Sequence, residues 1–161
     1  AMILSPHIIT GAALGANFQS ADWRIYLLPI VAIILHHSLD RIPHYDYNLK
    51  PFSSLVAFKV FLDISVGTST VALIYLFFNT DIDIFNTAIG AFFGTLPDGI
   101  LLLSFIFPEK WLLKYQRFHA SLHFHSKEIN PQTGIETKKT INFIGLFTQV
   151  TAVAISLYFL I

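Results

Sequence analysis

Long apolar runs separated by short polar stretches dominate this sequence. One run, at 4–18, is short and rich in small residues, and its Gly11 and Gly15 form a G-x-x-x-G pair that allows close helix packing. The other runs approach or exceed the roughly 20 residues that a helix needs to cross a bilayer. They cover residues 22–41, 53–79, 84–107 and 141–161. The pattern predicts an all-α integral membrane protein, a single domain over 2–161 with a bundle of four to five transmembrane helices.

The segment 109–127 has a different pattern, in which apolar residues alternate with cationic ones. Lys110, Lys114 and Arg117 lie among aromatic and leucine side chains. Such a mixture is typical of an amphipathic helix that lies on a membrane surface. The polar residues 128–139, which include Pro131 and Gly134, predict a loop.

Composition supports a membrane class and restricts the chemistry. Of the 161 residues, 54% are hydrophobic and 12% are charged, whereas soluble domains carry about 25% charged residues. The formal net charge is zero, which argues against a nucleic-acid partner, because such proteins show a basic excess. The chain has no cysteine, so a metal site would use histidine and carboxylate ligands.

The basic residues predict an orientation in the membrane. Arg41 and Lys50 follow the second run, six Lys and Arg residues lie between the fourth and fifth runs, and Arg24 alone falls on the other side. Because cytoplasmic connections carry the excess of Lys and Arg, we expect a plasma (inner) membrane protein whose N-terminus is cytoplasmic.

The histidines and the membrane-embedded aspartates all map to the cytoplasmic end of this arrangement. Charged groups inside a bilayer are costly and usually mark function, and a divalent cation would offset that cost. His36 and Asp40 are four residues apart, as are His119 and His123, so each pair shares a helix face. The predicted ligands are His7, His36, Asp40, Asp98, His119 and His123, around one or two ions, with Zn expected first and Mn or Fe as alternatives.

Four short motifs carry a family resemblance. They are His-Ile-Ile-Thr-Gly from His7, LHHSLDRIPH at 35–44, TLPDGI at 95–100 and FHASLHFHS at 118–126. Together they resemble the membrane-bound metal-dependent hydrolases, the LexA-regulated inner-membrane family, although the order of the motifs differs here. The resemblance implies metal binding by His7, Asp98, His119 with His123 or His125, and His36 with Asp40. The H-x-x-x-D motif formed by His36 and Asp40 also resembles a motif of the zinc-dependent phospholipase C family, which is a weaker match.

These observations predict a membrane-embedded metal-dependent hydrolase that acts on a phosphoester or lipid headgroup at the cytoplasmic leaflet. A bound ion would supply hydroxide near neutral pH, and Asp63 or His44 is expected to act as the general base. Alternatively, Asp63 forms an ion pair with Lys59, which lies four residues before it. The cations expected to bind an anionic, amphiphilic substrate among the membrane lipids are Arg41, Lys114 and Arg117, bordered by Lys50 and Lys110. A cation-transport protein and a metal-stabilised scaffold without catalytic activity are the alternatives, and the oligomeric state is open.

Overall fold

The computed structural model describes residues 4–18, 23–44, 53–78, 82–107, 109–122, 127–129, 136–138 and 142–161. Six α-helices account for most of these residues, which confirms the all-α fold class. Each of the five apolar runs contains one helix, and the amphipathic segment contains the remaining one. In chain order the helices are α1 (Leu4–Ala16), α2 (Leu28–Asp40), α3 (Ser54–Phe78), α4 (Ile84–Ile106), α5 (Lys110–Leu122) and α6 (Asn142–Leu160).

Two segments differ from the sequence-based expectation. The run at 22–41 is not one α-helix, because a 3-10 turn over Trp23–Leu27 precedes α2, and Pro29 occupies the first turn of α2, where a missing N–H is tolerated. The helix predicted for 109–127 ends at Leu122. Beyond it, the expected loop contains two short antiparallel strands, β1 (Lys127–Ile129) and β2 (Glu136–Lys138).

The shortest apolar run forms the centre of the bundle. Nine of the 13 residues of α1 are buried, and the helix packs against α2, α3, α4 and α6. Ile8, Ile9 and Ala12 lie in one core cluster with Val71 of α3 and Leu160 of α6. Because other helices surround α1, its length need not match the thickness of a bilayer.

Glycines allow α1 and α4 to meet backbone against backbone. The pair Gly11 and Gly15 faces Gly90 and Gly94, which form a second G-x-x-x-G on α4. A Cβ added at Gly11 would overlap the carbonyl group of Gly90, and one at Gly94 would lie 3.0 Å from the carbonyl oxygen of His7. The two helices therefore run antiparallel in a fixed register, in which each step of four residues along α1 matches a step of four along α4.

The ends of α4 are fixed by local chemistry. The carboxylate of Asp83 accepts hydrogen bonds from the backbone N–H groups of Phe85 (2.9 Å) and Asn86 (3.2 Å), which is N-capping. The helix stops at Ile106, and Phe107 takes an extended conformation, as expected for a residue that precedes a proline. Pro97 lies inside the helix and removes one backbone donor there.

Two helices in the described part of the chain, α3 and α4, are long and apolar enough to cross a membrane. Two further apolar helical stretches are shorter: Ile25–Asp40, which joins the end of the 3-10 turn to α2, and Ile144–Leu160 within α6. Large apolar side chains cover the outer surface of the bundle, including Phe61, Leu76 and Phe77 of α3, Phe92 of α4 and Phe147 of α6.

The glycine contact predicts a position-dependent response to a single methyl group. Gly90→Ala would place Cβ against the backbone of Gly11 and Gly15, and such overpacking costs at least about 1–3 kcal/mol. Gly99→Ala is the matched control, because its Cβ would meet no atom within 4 Å and alanine favours the helix by about 0.5–1 kcal/mol. We expect Gly90→Ala to unfold at a clearly lower midpoint temperature than Gly99→Ala when thermal unfolding is monitored by circular dichroism. Equal midpoints for the two variants would contradict the proposed close contact.

Candidate metal centre

Three histidines and two aspartates from four helices meet at one end of the bundle. We call this group the His–Asp cluster: His7 of α1, His36 and Asp40 of α2, Asp98 of α4 and His119 of α5. Asp98 is 4% exposed, and the other four side chains belong to residues that are at most 1% exposed. Five polar, ionisable side chains are thus removed from solvent together, although polar groups are costly to bury without partners.

The nitrogen and oxygen atoms of the cluster lie at short, similar distances. Nε2 of His36 is 3.1 Å from Oδ2 of Asp40 and 3.5 Å from Nε2 of His119. Nε2 of His7 is 3.2 Å from Oδ1 of Asp40. Nε2 of His119 is 3.5 Å from one oxygen of Asp40 and 3.5 Å from Oδ1 of Asp98. The same ring nitrogen of each histidine therefore faces the centre of the cluster.

The register between α1 and α4 explains how two of these residues meet. The carbonyl of His7 lies opposite Gly94, and Asp98 is one helical turn beyond Gly94 along α4. Nε2 of His7 is 3.9 Å from Oδ2 of Asp98. Since the glycines fix the register, they also bring these two side chains together.

A hydrogen bond orients the ring of His36 and assigns its tautomer. Nδ1 of His36 donates to the carbonyl oxygen of Gly94, at 2.7 Å. A neutral His36 therefore presents the lone pair of Nε2 to the carboxylate of Asp40, which also carries lone pairs. Two acceptors in contact are stabilised when a cation, either a proton or a metal ion, lies between them. Histidine ligands in metal sites are commonly held by such a bond from the other ring nitrogen.

The spacing of the donor atoms fits a metal centre. Zn bonds to nitrogen and oxygen of about 2.0–2.1 Å in tetrahedral geometry place neighbouring ligand atoms about 3.3–3.4 Å apart. The measured separations in the cluster run from 3.1 to 3.9 Å. Imidazole and carboxylate groups are also the donors that Zn, Mn and Fe(II) accept. The residues present thus fit a divalent ion in both geometry and chemistry.

Each aspartate directs its two oxygens to different histidines. Oδ1 of Asp40 faces His7, and its Oδ2 faces His36 and His119. Asp98 repeats the arrangement, with Oδ2 toward His7 and Oδ1 toward His119. A carboxylate that directs its two oxygens to different partners can bridge two ions, which lie about 3.5–4 Å apart in two-metal sites. Asp40 and Asp98 would therefore be able to hold one ion or two, together with the histidines.

His37 joins the site, although the sequence analysis did not count it as a ligand. Its ring centroid is 5.5 Å from that of His119 and 5.1 Å from that of His36. One nitrogen of His37 lies within 4.8 Å of ligand atoms of His36, Asp40 and His119. His37 precedes Asp40 by three residues, so the two side chains share one face of the helix. This spacing is the sequence signal that would have identified His37.

Tyr115 is a second residue that the sequence analysis did not select. Its hydroxyl donates to the carbonyl oxygen of Pro97, at 3.1 Å, which joins α5 to α4 beside Asp98. Burial, together with the negative charges of Asp98 and Asp40, raises the pKa of the Tyr115 phenol. The phenol therefore keeps its proton at neutral pH and stays a hydrogen-bond donor.

Asp63 lies outside the cluster and has a structural role. Its carboxylate accepts hydrogen bonds from the backbone N–H groups of Leu4 and, at 3.2 Å, of Ser5. These are the first two described residues of α1, whose N–H groups have no acceptor within the helix. Asp63 thus caps α1, and the general-base role expected from the sequence does not fit this position.

Of the other predicted site residues, His44 lies near His7, three cations are exposed, and the rest lie outside the described residues. His44 is close enough to His7 to interact with it electrostatically, and its Nδ1 donates to the carbonyl oxygen of Ile42, at 2.7 Å. The three cations assigned to substrate binding, Arg41, Lys114 and Arg117, are exposed. The predicted ligand His123, with His125 and Lys50, lies outside the described residues.

No protein-family model, curated protein or solved structure matches this chain. The similarity to membrane-bound metal-dependent hydrolases therefore stays a prediction from four short motifs.

Two substitutions at Asp63 test its assignment as the cap of α1. Asp63→Ala removes the acceptor, so we expect a loss of stability of about 0.5–2 kcal/mol, measured as a lower midpoint of thermal unfolding. Asp63→Asn keeps a side-chain oxygen for the two N–H groups and should unfold near the wild-type temperature. If Asp63→Asn were as unstable as Asp63→Ala, the capping assignment would fail.

Proposed function

We propose that this protein is a membrane-embedded, metal-dependent hydrolase that acts on a phosphoester or lipid headgroup at the cytoplasmic leaflet. The observation that carries the proposal is the convergence of the His–Asp cluster at ligand spacing. Polar clusters buried in an apolar helical bundle are costly and usually functional.

The exposed surface supports a place in the membrane. In the most apolar stretches of α3 and α4, 22% and 33% of the residues are buried, whereas the core helix of a soluble protein is mostly buried. Phe58, Phe61 and Leu76 of α3 are each more than half exposed. Monomeric soluble proteins rarely expose continuous apolar patches larger than a few hundred Å², so lipid is the solvent that suits this surface. We further propose that four to five helices cross the membrane, with the N-terminus in the cytoplasm.

The residues that would hold the metal are the five members of the His–Asp cluster, with His37 beside them. Zn is the ion that best suits three imidazoles and two carboxylates, and Mn and Fe(II) accept the same donors. A bound divalent ion lowers the pKa of a coordinated water toward neutrality and so supplies a nucleophile. The hydrogen bond from His36 to Gly94 holds one ligand in orientation before any ion arrives.

His44 is the residue best suited to move a proton. Its Nδ1 donates to the carbonyl of Ile42, which leaves Nε2 as the basic nitrogen of the neutral ring. Arg41 immediately follows the ligand Asp40, and Lys114 and Arg117 belong to α5, the helix that carries His119. Exposed cations beside Asp40 in the sequence and on the helix of His119 suit an anionic headgroup.

Deep burial favours a second candidate function, a metal-stabilised scaffold. The cluster joins α1, α2, α4 and α5, and an ion held there would tie four helices together. Structural sites have closed coordination, whereas catalytic sites keep an open position. If a chelator lowers the unfolding midpoint strongly and no phosphoester or lipid is hydrolysed under any metal, the scaffold is the better description.

Metal analysis of purified variants tests the proposed centre. We expect elemental analysis to find one or two divalent ions per wild-type chain, and less than a tenth of that in Asp98→Asn and His36→Ala. Hydrolysis in a screen of phosphoesters and lipids should disappear in both variants and in chelator-treated wild type. Asp63→Asn is the matched control, since it changes an aspartate outside the cluster and should keep its metal. Full metal occupancy in Asp98→Asn and His36→Ala would overturn the assignment.

Neutralising the exposed cations tests the proposed anionic headgroup. Arg41→Gln, Lys114→Gln and Arg117→Gln should each weaken binding of a fluorescent lysophosphatidic acid in detergent micelles by about five-fold. The loss should shrink at high salt, because exposed charges are screened. Arg24→Gln is the control, since the charge pattern assigns Arg24 to the opposite side of the membrane. An equal loss in Arg24→Gln would argue against a headgroup site at these cations.

A further inference from the structure

The five residues of the His–Asp cluster lie almost entirely out of contact with solvent, since each is at most 4% exposed. A hydrated divalent ion must lose its water before it reaches such a site. Moving a charge out of water is costly unless other ligands replace the water as it leaves. An ion that enters or leaves the cluster is therefore helped by a protein ligand at the border between the cluster and solvent.

His37 of α2 occupies such a border position. The residue is partly exposed, and its ring lies beside two buried members of the cluster, with centroids 5.1 Å from His36 and 5.5 Å from His119. Its ring also lies edge-on to that of Phe118, at 6.2 Å between centroids, and Phe118 is 53% exposed. His37 therefore connects the buried cluster with the surface formed by α2 and α5.

The ring of His37 has unused capacity to bind a ligand. Its Nδ1 is buried and has no hydrogen-bond partner among the described residues, although a buried polar atom without a partner is unfavourable. One ring nitrogen lies within 4.8 Å of ligand atoms of His36, Asp40 and His119. A divalent ion bound by these three residues would be close enough for the ring to reach it.

The two adjacent histidines of α2 differ in how firmly they are held. Nδ1 of His36 donates to the carbonyl oxygen of Gly94, at 2.7 Å, and such a bond fixes the orientation of a histidine ligand. Within the described part of the chain, Nδ1 of His37 makes no corresponding bond. His36 is therefore suited to hold an ion permanently, whereas the ring of His37 is less restricted and is suited to bind and release one.

We propose that His37 is the exchangeable ligand of the metal centre, the residue that an ion binds first when it enters the cluster and last when it leaves. The inference rests on the metal centre of the proposed function and adds the route between that centre and solvent. Arg41 lies one helical turn from His37, and the two side chains interact electrostatically. An anionic headgroup at Arg41 would therefore approach the centre from the same edge.

The rates of ion exchange test this role without any requirement for hydrolysis. Metal-free protein in detergent is mixed with Co(II), whose visible absorption reports uptake, and the loaded protein is then mixed with EDTA to measure release. His37→Phe keeps an aromatic ring at this position but removes both ring nitrogens, so uptake and release should each slow by about ten-fold. Ion content at saturating Co(II), measured by elemental analysis, should stay at the wild-type level, because the five buried ligands remain.

His37→Ala distinguishes a ligand from a side chain that only covers the cluster. If His37 only blocked access, its truncation would speed exchange, whereas loss of a ligand slows exchange, and free imidazole should restore part of the rate. His44→Ala is the matched control, because His44 is also partly exposed and close to His7, but its Nδ1 is held by the carbonyl of Ile42. Faster exchange in His37→Ala, or equal slowing in His44→Ala, would overturn the proposal.

The outcomes separate this inference from the proposed function. Wild-type exchange rates in both His37 variants, with full ion content, would overturn the exchangeable ligand and leave the hydrolase standing. Slower exchange, with no hydrolysis of any phosphoester or lipid, would support His37 and count against the hydrolase. If neither variant folds, the wild-type protein decides: bound Zn should protect His37 from modification by diethyl pyrocarbonate, and equal modification with and without Zn would overturn the proposal.

Discussion

Backbone contact between α1 and α4 is the constraint on which the rest of the structure depends. Glycines on both helices remove the side chains that would keep them apart, so carbonyl groups and Cα atoms meet directly. Small residues at helix interfaces allow this approach in membranes, where dispersion replaces the hydrophobic effect as the driving force. The contact fixes the antiparallel register, and the register places His7 beside Asp98. The glycine contact that holds α1 and α4 together and the side chains of His7 and Asp98 therefore lie at the same helix interface.

The His–Asp cluster reverses the ordinary distribution of polar residues. Its five ionisable side chains are at most 4% exposed, whereas large apolar side chains such as Phe77 are 77% exposed. This distribution suits a protein whose surroundings are apolar and whose interior must be stabilised by specific partners. Two carboxylates among three imidazoles gain from a bound cation, because the lone pair of His36 faces the oxygens of Asp40. Metal binding and folding are expected to be coupled as a result.

The proposed anionic headgroup depends on cations that are close to two of the candidate ligands in the sequence. Arg41 follows Asp40, and Lys114 and Arg117 belong to α5, the helix that carries His119. These three side chains are exposed, whereas the side chains of the cluster are buried. Headgroup binding can therefore be altered at the cations while metal binding is measured separately.

The sequence by itself determined the all-helical class and the stretches of chain in which the helices lie. Apolar length is a local property, so it located α3 and α4 well, and the H-x-x-x-D spacing predicted that His36 and Asp40 share a helix face. Only the tertiary structure decided that Asp63 caps α1, that His37 lies beside the His–Asp cluster, and that the shortest apolar run forms the centre of the bundle. Those facts depend on which helices meet and in what register, and the matching glycines that set the register are far apart in the chain.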